Sequence, residues 1–226
     1  MSTIYLTINQ SINTIVNTIN QGVCTMSRDK AATNAKIVQC MREEFLTYGY
    51  EKASLNRISA NVGITTAALY KHFKNKEDMF YYLVKDTLND FCRQTDSSQS
   101  QMETDPDYNP FDYNWALFWV DFIFDHYEGF KLLICCSKGS AYESFEENAI
   151  QKETEANKEY AEMLRRSGKM TKRISDMQWH VLSTTYVHLI AEIVRHDMTR
   201  EEALDHMQFV SQLIFPGWKE LFGLNN

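Results

Sequence analysis

Apolar side chains recur at three- and four-residue steps along most of this chain, the spacing that lines one face of a helix, and no alternating run bounded by turn residues stands out as a strand. In the second half this spacing predicts helices over about 111–126, 129–136, 140–166, 176–196 and 200–222. Met79, Phe80, Leu83, Val84, Leu88 and Phe91 give another, over 76–94. The polar stretch after it, TDSSQSQMETDPDYNP at 95–110, is the clearest interruption in the chain. Start signals agree with the periodicity: Ser175 with Gln178 and Thr199 with Glu202 have the capping-box spacing. Pro216-Gly217 predicts a kink near the end of the last helix.

The most informative segment is SLNRISANVGITTAALYKHFKNKEDMF, residues 54–80. Ser54 caps a short helix whose apolar positions are Leu55, Ile58 and Val62. Gly63 stands where that helix must end, because a residue without Cβ enters the left-handed region freely. Ile64 buries the turn, and Thr65 caps a second helix from Thr66 to about His72. Leu69 and Phe73 turn inward, leaving Thr66, Ala67, Tyr70, Lys71 and His72 on the outer face or its edges. Asn75 with Asp78 opens a further helix. Two helices joined by a short glycine turn are the unit that places a recognition helix in the major groove of DNA.

This segment and the helix before it, AKIVQCMREEFLTYGYEKAS, resemble the N-terminal domain of the tetracycline-repressor (TetR) family of bacterial transcriptional regulators. The resemblance rests on Ile37, Phe45, Gly49, Tyr50 and Ile58, on Gly63-Ile64-Thr65, and on the run Tyr70-x-His72-Phe73-x-Asn75-Lys76-Glu77, and it covers about fifty residues. Arg57 stands where the family usually has an acid, Ser59 replaces a common Ala, and Ala67 replaces a frequent Gly, so no known operator is inferred. The resemblance implies an all-α protein of nine helices, three in a DNA-binding head and six in a ligand-binding and dimerisation body. On this basis the domains are an N-terminal extension at 1–27, a helix-turn-helix domain at 28–75 and the body at 76–226. It further implies a homodimer on a palindromic double-stranded operator, with Thr65, Thr66, Ala67, Tyr70, Lys71 and His72 at bases and nearby phosphates. Tyr70 would be the key contact, and Lys76 would hold a phosphate.

The formal charge of −7 suits a DNA binder only once it is divided. Residues 28–80 hold nine Lys or Arg against six acids, a balance of +3 that leaves −10 for the remainder. That is a modestly basic head on an acidic body. Five Cys, an odd number without framework spacing, argue against a disulfide scaffold and predict a cytoplasmic protein, and no apolar run reaches membrane-spanning length. The first 25 residues place Ile4, Ile8, Ile12, Ile15 and Ile19 at helical steps among poor helix formers. They read either as a frayed extension, even a misplaced start before Met26-Ser27-Arg28, or as an extra amphipathic helix.

Residues 111–145 are dense in aromatics, which occupy most faces of the 111–126 helix and predict its burial all round, as plain core or as the wall of a cavity. The resemblance favours a cavity for an apolar or aromatic effector, with Trp115, Trp119, Phe122 and Tyr186 as its lining. The last two helices carry apolar stripes, Trp179, Leu182, Ser183, Tyr186, Val187, Ile190 and Val194 on one, Ala203, Met207, Val210, Ile214, Phe215, Trp218 and Leu221 on the other. In the family, the corresponding pair packs on its copy, which assigns the dimer to 176–222.

His188, Glu192 and His196 recur every four residues and could hold a metal, although interface packing or solvation is the stronger reading, and no metal or cofactor is assigned. Adjacent Cys135 and Cys136 read as two buried helix residues rather than a redox sensor, and Arg165, Arg166, Lys169, Lys172 and Arg173 as a solvated loop. No phosphate loop, serine elbow or paired metal motif points to catalysis. A protein-binding member of the fold, such as a nucleoid or division factor, is the alternative. An enzyme is a weaker one, with only His126, Glu128 and His188 as loose titratable candidates.

Overall fold

The computed structural model describes residues 28–104, 109–110 and 113–224, and all of the regular structure in them is helical. Nine helices follow in order: α1 Arg28–Lys52, α2 Leu55–Val62, α3 Thr66–Leu69, α4 Lys76–Thr104, α5 Tyr113–Asp125, α6 Tyr127–Cys135, α7 Phe145–Arg166, α8 Asp176–Arg195 and α9 Arg200–Phe222. The expectations for the N-terminal extension and for Phe111 lie outside the described residues.

The head is closed by Ile37, Met41 and Phe45 of α1, Ile58 of α2, Leu69 of α3, and Met79 and Phe80 of α4, none of which reaches solvent. Phe80 meets the rings of Phe45 and Tyr50 edge-on at 5.2 and 5.3 Å. Truncating a phenylalanine packed in this way costs about 3–5 kcal/mol. The sequence signals that delimit these helices are all in use. Ser54 Oγ accepts the Arg57 N–H, Gly63 lies at φ 83°, and Thr65 Oγ1 accepts the Ala68 N–H. Asn75 Oδ1 accepts the Asp78 N–H at 2.7 Å, while the Asp78 carboxylate takes the Lys74 N–H at 2.9 Å.

In the body α7 packs along α8, α5 along α9, and α6 lies between, touching α1, α4, α5, α7 and α8. The capping boxes at Ser175 and Thr199 are both formed. Three expectations are corrected. First, α4 does not stop at residue 94 but runs to Thr104. The polar stretch lacks a breaker until Pro106, Thr95 and Ser98 fold their hydroxyls onto carbonyls of the preceding turn, and buried Met102 anchors the extension. Second, α7 begins at Phe145 rather than at 140, because residues 137–144 form turns that dock on the head. Third, α5 is not buried all round: Ala116, Val120 and Ile123 are buried, whereas Trp115, Phe118, Trp119 and Phe122 keep partial exposure. The last helix passes through Pro216 without interruption.

Head and body meet at a main-chain clasp. Gly49, at φ 70° and ψ 165°, breaks the helical path of α1 in a region open to glycine. The Tyr50 N–H thereby leaves the α1 ladder and donates to the Cys136 carbonyl at 2.7 Å. The Tyr50 hydroxyl donates to one oxygen of Glu77 at 2.6 Å, and the other oxygen accepts the Ala141 N–H at 3.0 Å. Farther along, α4 and α6 approach so closely that a Cβ on Gly129 would lie 1.8 Å from Thr87 Oγ1.

Candidate nucleic-acid interface and body cavity

The second helix of the helix-turn-helix is short. Regular α geometry ends at Leu69, and the chain continues to Phe73 in tighter turns, with Lys71 N–H on the Ala68 carbonyl and His72 N–H on the Leu69 carbonyl. Burial of Leu69 and Phe73 fixes which way this segment faces. Thr65, Ala67, Lys71 and His72 are exposed, Thr66 is half-buried, and Tyr70 is 50% exposed.

The cations of the head are not equivalent. Lys36 donates to the Val62 carbonyl and Arg42 pairs with Glu128 of the body at 2.9 Å. Lys76 folds back: its ammonium donates to the Glu51 carbonyl at 3.1 Å and sits 4.6 Å from the centre of the Tyr50 ring, and burial lowers its pKa. Lys71 and Lys74, by contrast, are exposed and meet no partner among the described residues. Arg57 is engaged in a clamp that periodicity does not reveal. Its guanidinium forks onto Glu44, which is 3% exposed and also accepts the Ser54 N–H at 2.7 Å.

Residues 38–83 match the family described as bacterial regulatory proteins, tetR family. This segment of the chain belongs to the TetR family. Two HTH-type transcriptional regulators of Staphylococcus aureus are each 35% identical to it, over 69 residues (30% of this chain, 37% of the relative) and over 66 residues (29% and 36%). The match therefore spans little more than a third of these relatives' length. The helical arrangement is similar to NalD of Pseudomonas aeruginosa, the secondary repressor of the MexAB-OprM multidrug efflux pump (TM-score 0.54, 18% identity, 83% of this chain and 97% of that one). It is also similar to FadR of Bacillus subtilis, solved in complex with stearoyl-CoA (TM-score 0.53, 13% identity, 81% and 98%). At these identities the likeness is one of TetR fold.

The body contains a cavity of about 210 Å³. Trp115 and Trp119 of α5 and Tyr186 of α8 line it, with Phe91 and Met102 of α4, Phe130 and Ile134 of α6, and Phe145 of α7. Phe122, expected with them, is not on the wall: it packs behind it, against Phe118, His126 and Phe130. One helical turn beyond Trp119 on the same helix would be 122 or 123, and it is Ile123 that reaches the cavity. The polar part of the wall, Thr95, Lys152, Glu153 and Asn157, was not singled out from the sequence. Four-residue spacing places Glu153 and Asn157 on one helix face, but nothing in the pattern distinguishes that face from a solvated one.

The other constellations are dispersed by the fold. His126 lies 3.4 Å from Asp90, Glu128 pairs with Arg42, and His188 Nε2 is 2.9 Å from Glu146, so the loose enzyme candidates stand in three separate pairs. Glu192 serves Arg195 and His196, and among the described residues no cluster of three or more His, Cys, Asp or Glu is placed to hold a metal ion. The expectation of two buried helical cysteines is corrected: Cys135 is exposed in the last turn of α6 and Cys136 is buried just beyond it, although partial desolvation raises both thiols away from the reactive thiolate form. Of the basic run read as a loop, Arg165 and Arg166 instead close α7 and pair with Glu162, while Lys172 in the loop after it pairs with Glu220.

The apolar stripes predicted as a dimer seam mostly face the protomer's own core. Trp179, Tyr186 and Val194 of α8, and Met207, Val210, Phe215 and Trp218 of α9, are buried. What remains outside is a second set: Met177 and Val181 on α8, 70% and 53% exposed, and Phe209 and Leu213 on α9, 62% and 61% exposed. Each pair has the four-residue spacing of one helix face. No described helix is long and apolar enough to cross a membrane.

Proposed function

We propose that this chain is a ligand-responsive transcriptional repressor that binds a palindromic operator as a homodimer. The observation that carries it is the one-sided burial of residues 65–73, where Leu69 and Phe73 lock the segment down and Thr65, Thr66, Ala67, Tyr70, Lys71 and His72 are left facing solvent. Side chains presented from a fixed short helix can read base edges, while Lys71 and Lys74 add phosphate attraction. Lys76, in the first turn of α4, would join them by releasing the Glu51 carbonyl, in company with the backbone N–H groups of Lys76 and Glu77. The relation to HTH-type regulators of Staphylococcus aureus supports the same reading.

The homodimer is supported by Met177, Val181, Phe209 and Leu213, four large apolar side chains left on the surface of the last two helices. Packed against their copies they would form a four-helix seam and set two heads at half-sites roughly 34 Å apart. The effector would occupy the cavity. Ile134 and Phe145 of its wall flank the 136–144 segment that clasps the head, and α4 runs from the cavity wall into the head, so a ligand preferring one body conformation shifts both.

The test is binding of the purified full-length protein to the DNA upstream of its own gene, beside random DNA, at two salt concentrations. Selective binding that Tyr70→Ala abolishes is expected. Equal affinity for both DNAs at both salts would overturn the reading and move attention to a protein partner on the acidic body.

A further inference from the structure

The charged groups on the cavity wall differ in how well they are already matched. Glu146 accepts the Arg195 guanidinium on both oxygens, at 2.5 and 2.6 Å, and faces His188 as well. The Lys152 ammonium lies 3.1 Å from Thr95 Oγ1 and 3.7 Å from Asp96. Glu155 is exposed and takes a hydrogen bond from Gln151, and Glu159 is exposed as well.

Glu153 stands apart. Its one hydrogen bond among the described residues comes from Asn157 Nδ2 at 2.9 Å, a neutral donor, although an ionised carboxylate has about four acceptor positions to fill. It shares its cavity with the rings of Phe91, Trp115, Trp119 and Tyr186. Desolvation raises its pKa, and the Asn157 hydrogen bond offsets only part of that.

A guest's charge decides how this wall receives it. An anion would meet a carboxylate, and the lysine on this wall, Lys152, already faces Asp96 at 3.7 Å. A neutral apolar guest would strip water from that carboxylate and return nothing. A cation would supply the missing counter-charge and place its apolar substituents against aromatic rings, whose faces attract positive charge. We propose that the effector is a lipophilic monocation, either an amine protonated at neutral pH or a quaternary ammonium, with its charged centre at Glu153 and its apolar body along Trp115 and Trp119. The proposal rests on the cavity being the effector site.

Calorimetric titration of the full-length protein with three probes of similar length tests it: (4-phenylbutyl)trimethylammonium, neutral 6-phenylhexanol and anionic 6-phenylhexanoate. The cation is expected to bind at least roughly tenfold tighter than the other two. Glu153→Gln should remove that preference, and Glu153→Asp, which keeps the charge, should retain most of it. Trp119→Ala should weaken all three probes alike, which separates damage to the wall from loss of the charge. Binding without preference for the cation, or a cation affinity unchanged in Glu153→Gln, overturns the assignment and leaves the cavity reading standing. Failure of all three probes to bind the wild-type protein overturns both.

Discussion

The backbone N–H of Tyr50 donates to the carbonyl of Cys136, joining the last turn of α1 to the end of α6. The bond exists because Gly49 adopts φ 70° and ψ 165°, a combination that side chains resist. A Gly49→Ala chain must strain or release the clasp. Its unfolding free energy, measured by urea titration, should fall by about 1–3 kcal/mol. An unchanged midpoint would mean that the clasp contributes nothing to the native state.

Glu44 is the buried end of the second internal tie, holding Arg57 and the Ser54 N–H. Glu44→Ala leaves the Ser54 N–H, which begins α2, without its acceptor, and a stranded donor of that kind costs about 1–3 kcal/mol. The loss should appear in chemical denaturation as a shift in midpoint. DNA affinity per folded molecule should change less than it does in Tyr70→Ala, since Glu44 does not reach the outer face.

The unequal cations of the head separate two kinds of DNA contact. Lys71→Ala should weaken specific and random DNA similarly and flatten the salt dependence by about one charge. Lys76→Ala should have the smaller effect on the salt slope, because its ammonium is engaged with the Glu51 carbonyl. Tyr70→Ala should alter sequence preference instead. Identical salt slopes in all three variants would remove the distinction.

Sedimentation of a Phe209→Glu, Leu213→Glu double variant checks the seam. Both side chains are more than half exposed in the protomer, so the fold should survive while a dimer does not. The expected result is a helical monomer whose operator affinity is reduced at least about tenfold, since one half-site replaces two. A dimer that persists would place the interface elsewhere.

Glu153 also carries a pH signature in the ligand-free protein. Its pKa is raised by burial on folding, so the folded state favours the protonated form. Below the ordinary carboxylate range the group is protonated in both states and no penalty arises. As pH rises above that range the unfolded chain ionises first, and native stability falls. Glu153→Gln, which cannot ionise, should therefore be more stable than the wild type at pH 7.5, and the difference should vanish near pH 4. Parallel stability curves would show that this carboxyl is not disfavoured by the fold.

Local signals made the head legible almost in full. Ser54, Gly63, Thr65 and Asn75 each act through atoms within a few residues, so their roles can be read along the chain. The same holds for the capping boxes at Ser175 and Thr199. What the sequence hid depends on distant segments. The partner of Arg57 is thirteen positions earlier on another helix, and that of the Tyr50 N–H belongs to the far end of α6. The stripes of α8 and α9 were visible as apolar, but periodicity does not say whether a stripe meets the protomer's own core or a second copy. Phe122 and Ile123 sit side by side in the sequence, and only the rotation of α5 against α6 decides which enters the cavity.

The approach of α4 to α6 at Thr87 and Gly129 has a mechanical meaning. Helices separated by a layer of leucines can slide while side chains change rotamer and take up the slack. Here the Thr87 hydroxyl occupies the space that any Cβ at position 129 would need, so no yielding layer exists at that point. The two helices mesh there like a tooth in a notch. Since α4 also supplies Met79 and Phe80 to the head, this notch ties α6 to the same rigid rod that closes the head's core.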